Sequence, residues 1–180
     1  MAIDKIQPES INLADNFAFT GTVTGAGGAN TPAFYAYLAT SDQSFSQDTD
    51  TKVAYNAEIY DTDNAFDSTT NRRFTVPSGK GGKYLLIASF RFNGINYTAY
   101  GRVRLYKNGS TIIATETRPY QTQSSGNSAD IIYKSSCILD LAAGDYVEVF
   151  VRSNSTTSAN LGAGTADTSY TWFAGHRLIT

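Results

Sequence analysis

Apolar and polar residues alternate with a period of two over much of this chain, and glycine- or aspartate-rich breaks interrupt the alternation at short intervals. Ala33 to Leu38 sets Phe34 and Tyr35 among small residues, and Lys52 to Tyr60 places Val53, Tyr55, Ala57 and Ile59 on one face. Lys83 to Phe92 is almost continuously apolar. Because successive side chains of a strand point to opposite faces, such runs predict strands. Further runs are Gly101 to Tyr106, Thr111 to Thr117, Ile131 to Leu139, Tyr146 to Arg152 and Ser169 to Leu178. No segment carries a helical period.

The breaks have turn chemistry. Asp61-Thr62-Asp63-Asn64 and Ser78-Gly79-Lys80-Gly81-Gly82 supply two turns, and Lys107-Asn108-Gly109-Ser110 predicts a tight hairpin, because Asn-Gly accepts the positive φ angles of a type I′ turn. A Ser, Thr, Gly and Ala-rich loop from Asn154 to Thr168 joins the last two strands. About eight such strands, the central ones apolar on both faces, predict an all-β, two-sheet antiparallel sandwich or jelly roll in preference to a barrel with a solvent-filled middle.

Ahead of it, Phe17, Phe19, Gly21 and Val23 alternate with Ala18, Thr20, Thr22 and Thr24, and Gly25-Ala26-Gly27-Gly28 reads as a flexible junction. Residues 1–28 are therefore expected to form an extended arm, and residues 29–180 the domain. A lone strand needs a partner. Phe17, Phe19 and Val23 either fold onto the domain edge or dock on another protein.

Composition narrows the function. Tyr 12, Phe 10 and only 17% charged residues suit pleated surfaces, and a net charge of -2 lacks the basic footprint of a nucleic-acid binder. A single cysteine, Cys137, rules out an intrachain disulfide and a multi-thiolate zinc site. The opening Met1 to Pro8 lacks a basic stretch followed by an apolar one, and no run is long enough to span a membrane. The expectation is a protein made in the cytosol, with no membrane insertion.

The ordered landmarks Ala33-Phe34-Tyr35-Ala36-Tyr37-Leu38, Val53-Ala54-Tyr55-Asn56, Tyr60-Asp61, Phe66-Asp67, Arg73-Phe74-Thr75-Val76-Pro77 and Gly82-Lys83-Tyr84-Leu85 resemble the globular head of complement component one, subcomponent q. Val103 to Gly109 resembles its middle hairpin, Leu139 to Val147 its Gly-Asp turn, and Phe173-Ala174-Gly175 its closing strand. The resemblance covers about residues 33 to 180. It implies a ten-stranded jelly roll shared with the tumour necrosis factor superfamily, a homotrimer about an aromatic and apolar axis, and no enzymatic activity. His176 and Arg177 depart from the pattern, since apolar residues usually follow that glycine, and no collagen-like stalk precedes the domain. The segment Asp15 to Gly27 with Ile3 to Gln7 is similar to short leaders on bacteriophage structural proteins, marine and cyanobacterial ones especially.

Several residues are candidates for chemistry. Asp61, Asp63 and Asp67 form the densest acidic cluster and offer oxygen ligands for calcium, although Phe66 stands where an EF-hand loop needs glycine. The alternative is a solvated turn. Otherwise no cofactor is expected. His176 and Cys137 lie within predicted strands and read as structural, and Asp140 and Asp145 flank a turn around Gly144 instead of forming a hydrolytic pair. Phe45, Tyr97, Tyr100 and Tyr120 are candidate glycan contacts, because such rings combine an apolar face with, in tyrosine, a polar tip. Tyr84, Phe90, Phe92, Val147, Val149, Val151 and Phe173 are assigned to the core or the trimer axis, the two left unseparated.

These readings converge on a non-enzymatic phage virion surface protein: a capsid decoration, head fibre or short tail-fibre head. Its arm would dock to capsid or tail proteins, and its trimeric head would face outward for shell stabilisation or attachment to a host-surface glycan. A receptor-binding tail-fibre tip and a cellular complement-like lectin are the alternatives, and a polysaccharide hydrolase has little support.

Overall fold

A computed structural model describes residues 30–96, 99–118, 128–155 and 159–178, with the backbone alone at 96, 116–118, 128 and 129. Among these residues there is no helix. Thirteen strands run in the order β1 (Ala33–Tyr37), β2 (Gln43–Ser44), β3 (Thr51–Lys52), β4 (Ala57–Asp61), β5 (Phe66–Asp67), β6 (Arg73–Thr75), β7 (Gly82–Asn96), β8 (Gly101–Lys107), β9 (Thr111–Arg118), β10 (Ser128–Leu141), β11 (Tyr146–Ser153), β12 (Asn160–Leu161) and β13 (Trp172–Arg177).

Two antiparallel sheets result. In the first, β13 and then β12 pair with successive stretches of one edge of β7, while β10 pairs with the other edge along nearly its whole length. β1 and β4 extend the sheet beyond β13, and β2 caps β12. In the second, β11 is central: β8 and then β9 lie to one side, with β6, β5 and β3 on the other. The Asn108–Gly109 turn has the expected positive φ at both residues, 54° and 76°. Asn108 also locks the hairpin to its neighbour, its amide donating to Asp145 Oδ1 at 2.9 Å and its carbonyl oxygen accepting from Tyr146 N at 3.0 Å.

The single strand expected from Lys52 to Tyr60 is two. Thr51–Lys52 pairs with β11 of the second sheet and Ala57–Asp61 with β1 of the first, so residues 53–56 cross between sheets. Val53 and Tyr55 are fully buried in the crossing, which preserves the apolar alternation, whereas Ile59 lies beyond it and is 47% exposed. The register with β1 shifts there, and Ile59 falls outside the core face. The closing strand also begins later than Ser169, and the loop after Asn154 holds β12, a strand too short to have a period of its own.

Aromatic rings fill the space between the sheets. Phe34 of β1 stacks on Phe74 at 4.7 Å and Phe66 at 5.3 Å and meets Phe173 edge-on at 5.0 Å. A second group joins Phe90, Phe92 and Tyr133 within 5.7 Å of one another. Tyr84, Phe90, Phe92, Val147, Val149, Val151 and Phe173 are all buried between the sheets of one chain.

Candidate binding faces

The inward alternation leaves the opposite set of side chains on the outer faces, and the two outer faces differ in kind. On the first sheet the strand registers line up Tyr60, Tyr35, Ala174, Ile87 and Ser136 in one row. A second row holds Tyr37, Trp172, Ser89 and Lys134, and a third Ala33, His176, Leu85 and Ile138. Trp172 stacks on Tyr35 at 5.2 Å, and Tyr60 lies 6.3 Å beyond. Tyr60, Ile132 and Ile138 are 48%, 51% and 61% exposed. His176 and Lys134 are the only ionisable nitrogen bases in those three rows, so this central patch is aromatic and aliphatic; it is bordered by the row of Arg91 and Ile132 on one side and by Lys83 opposite Asp140 on the other.

The second sheet turns outward a charged face. Arg102, Arg104 and Tyr106 alternate with buried Val103 and Leu105 on β8, opposite Glu148, Phe150 and Arg152 of β11. Lys52 pairs with Glu148, Arg104 with Asp50 at 2.5 Å, and Lys107 with Asp145 at 2.7 Å. Asp50 also accepts from the Tyr106 hydroxyl at 2.9 Å. Arg73 lies over the Tyr146 ring at 3.8 Å.

The acidic cluster serves turns. Asp61 Oδ2 accepts the Phe66 N–H at 2.8 Å, and Asp63 faces Lys80 at 3.5 Å. Asp67 accepts the backbone N–H groups of Thr69, Thr70 and Asn71 between 2.8 and 3.0 Å. Those N–H donors, Thr70 and Asn71 foremost, hold its carboxyl well below the usual carboxylate range. Among the described residues no three acidic, histidine or cysteine side chains gather where they would hold a metal ion. The calcium reading therefore gains nothing from this geometry. Asp145 caps the turn at Gly144 by accepting Ala142 N–H at 2.9 Å; the Asn108 amide, then Lys107 and that N–H, lower its pKa to about 2.

Of the candidate glycan contacts, Phe45 packs against Phe92 at 5.0 Å, so one ring face is already covered by core. The Tyr100 hydroxyl donates to Asp48 Oδ1 at 2.5 Å, and the Arg102 guanidinium sits 4.4 Å from its ring centre. Tyr97 and Tyr120, like Phe17, Phe19 and Val23 of the arm, lie outside the described residues. His176 belongs to the apolar outer face, and Arg177 donates to the Gly81 carbonyl at 2.7 Å. Burial raises the pKa of the Cys137 thiol, the opposite of what a nucleophile needs. The outward residues Trp172, Tyr35, Leu85 and Ile87 escape sequence reasoning, although the alternation around Phe34 and Phe173 marks their positions.

Comparison with solved structures places this architecture. The globular domain of zebrafish complement 1qA protein superposes with a TM-score of 0.52 at 16% identity, covering 81% of this chain and 94% of that one. Murine APRIL gives 0.54 at 17% identity over 81% and 99%, and the Eiger tumour necrosis factor of S. frugiperda 0.52 at 16% over 81% and 91%. The chain thus has the jelly-roll fold of complement heads and tumour necrosis factor-like domains, as the sequence landmarks imply. No model of a known protein family matches it. The uncharacterised protein YqcC of Bacillus subtilis (strain 168) is 33% identical over 106 residues, 58% of this chain; the match spans only 28% of that longer protein.

Proposed function

We propose that this chain is a non-enzymatic binding head that works as a homotrimer, joined through the outer face of the first sheet. The observation that carries the proposal is the contrast between the two outer faces. Soluble monomers seldom leave a contiguous aromatic and aliphatic face of this extent open, whereas subunits of an obligate assembly cover one, commonly burying more than ~2,000 Å². Tyr35, Trp172, Leu85, Ile87 and Ile138 would meet neighbouring copies in a closed ring, while the charged face of the second sheet stays in water. Substituting Ile87→Glu sets a carboxylate in the middle of that face without touching the core. The expected result is loss of the trimer in light scattering with an unchanged far-ultraviolet spectrum; a trimer that persists refutes the assigned face.

The head is carried on a phage virion by residues 1–28 and serves shell decoration or attachment to a host-surface glycan. The reading rests on the leader's similarity to short leaders on phage structural proteins. Deleting residues 1–28 should strip the protein from particles and leave the head folded; a deletion variant that still sediments with particles refutes the docking role. A second reading treats the head as one module of a longer bacterial binding protein, favoured by the relative's greater length. Absence of the protein from any particle, with retained glycan binding, would select it.

A further inference from the structure

On the second sheet the positive charges outnumber their partners at one place among the described residues. Arg102 and Arg152 stand directly opposite each other on adjacent strands, an arrangement that costs stability when both side chains are charged. Their neighbours are already committed: Arg104 pairs with Asp50 at 2.5 Å, and Lys52 with Glu148. The remaining carboxylate beside them among the described residues, Asp48, accepts the Tyr100 hydroxyl at 2.5 Å and reaches Arg152 only at 3.7 Å. Arg102 stacks on Tyr100 and forms no ion pair among the described residues. The Nε atoms of Arg102 and Arg152, like that of Arg104, are buried and lack a hydrogen-bond partner.

Among the described residues, Arg152 alone reaches Asp48 and Arg102 rests on the Tyr100 ring, so two guanidiniums meet one carboxylate that is already hydrogen-bonded, a cluster that one further anion would complete. We infer that Arg102 and Arg152 form an anion subsite for an acidic polysaccharide, with a uronate carboxylate held between them. A guanidinium binds a carboxylate through two parallel N–H donors, which a lysine pair cannot reproduce. Phe150 in the next row and Tyr106 in the row beyond, their ring centres 4.5 Å apart, offer apolar ring surface to the adjoining sugar. The subsite lies within one chain. It extends the binding-head reading by naming the ligand class, and it rests on that reading only for its outward orientation.

The test is titration of the full-length protein with polygalacturonate in low salt, with neutral dextran and linear polyphosphate alongside. Light scattering is recorded on the same samples. Wild-type protein should bind polygalacturonate and leave dextran unbound, and Arg102→Gln or Arg152→Gln should weaken binding by about tenfold or more. Arg73→Gln, which removes an equal charge elsewhere on the same sheet, should leave binding unchanged. Failure of the wild type to bind overturns the subsite, as does equal loss in Arg73→Gln or equal or tighter binding of polyphosphate, which would reduce the site to general polyanion attraction. A monomeric mass with retained, arginine-dependent binding would overturn the trimer and leave the subsite standing.

Discussion

Phe34→Ala isolates the aromatic cluster that joins the two sheets. Phe34 is fully buried, and its ring touches Phe66 and Phe74 of the second sheet and Phe173 of its own. Truncating a phenylalanine in such a setting costs about 3–5 kcal/mol, lost transfer energy and cavity together. The ring-pair energies are already contained in that figure and are not added to it. In a chain of 180 residues this lowers the melting temperature by about 6–20 °C, at about 2–4 °C per kcal/mol. The assay is urea unfolding at one fixed protein concentration, since assembly makes apparent stability depend on concentration. Ile59→Ala is the matched control: 47% exposed on β4, it should change stability by no more than about 0.5 kcal/mol. A Phe34→Ala cost below about 1 kcal/mol, or an equal cost at Ile59, would refute the assignment of Phe34 to the inter-sheet core.

Gly175→Ala should destabilise by about 1–3 kcal/mol in the same assay, because its new methyl would lie 2.6 Å from Leu86 Cδ2 and 3.0 Å from the Leu85 carbonyl; an unchanged midpoint refutes that packing. Asn108→Ala should cost about 1–2 kcal/mol by removing both bonds that tie the hairpin to Asp145 and Tyr146, and Asn108→Gly should restore the turn but not those bonds. Asp67 and Asp145 have folded pKa values below their unfolded value, so each stabilises the fold fully above about pH 4. That contribution is lost as pH falls through the folded values. The melting temperature should drop between about pH 4 and pH 2, and Asp67→Asn combined with Asp145→Asn should flatten the drop; an unflattened profile assigns acid sensitivity to other groups.

How far the sequence speaks depends on whether periodicity distinguishes the environments involved. On β8 it does: Val103 and Leu105 alternate with Arg102, Arg104 and Tyr106, and the inward and outward sets are read directly. On β7 it does not, because Leu85 and Ile87 on the outer face are as apolar as Tyr84, Leu86 and Ala88 on the inner one. Core and outer face merge there, and Tyr84, Phe90, Phe92 and Phe173 are separated from the outward residues only by the registers. The crossing at 53–56 is hidden for a related reason, since Val53 and Tyr55 stay buried while the chain changes sheets. β2, β5 and β12 have two residues each, too few to carry a period. The charge imbalance between Arg102 and Arg152 comes from residues 50 positions apart on different strands and exists only once the register of β8 against β11 is known.

The most direct test of the account is the solution mass of the intact chain, measured by light scattering across a range of concentrations. The apolar outer face predicts three times the 19.4 kDa chain mass, with a melting temperature that rises with protein concentration. A mass of one chain at every concentration, with a concentration-independent melt, would contradict it.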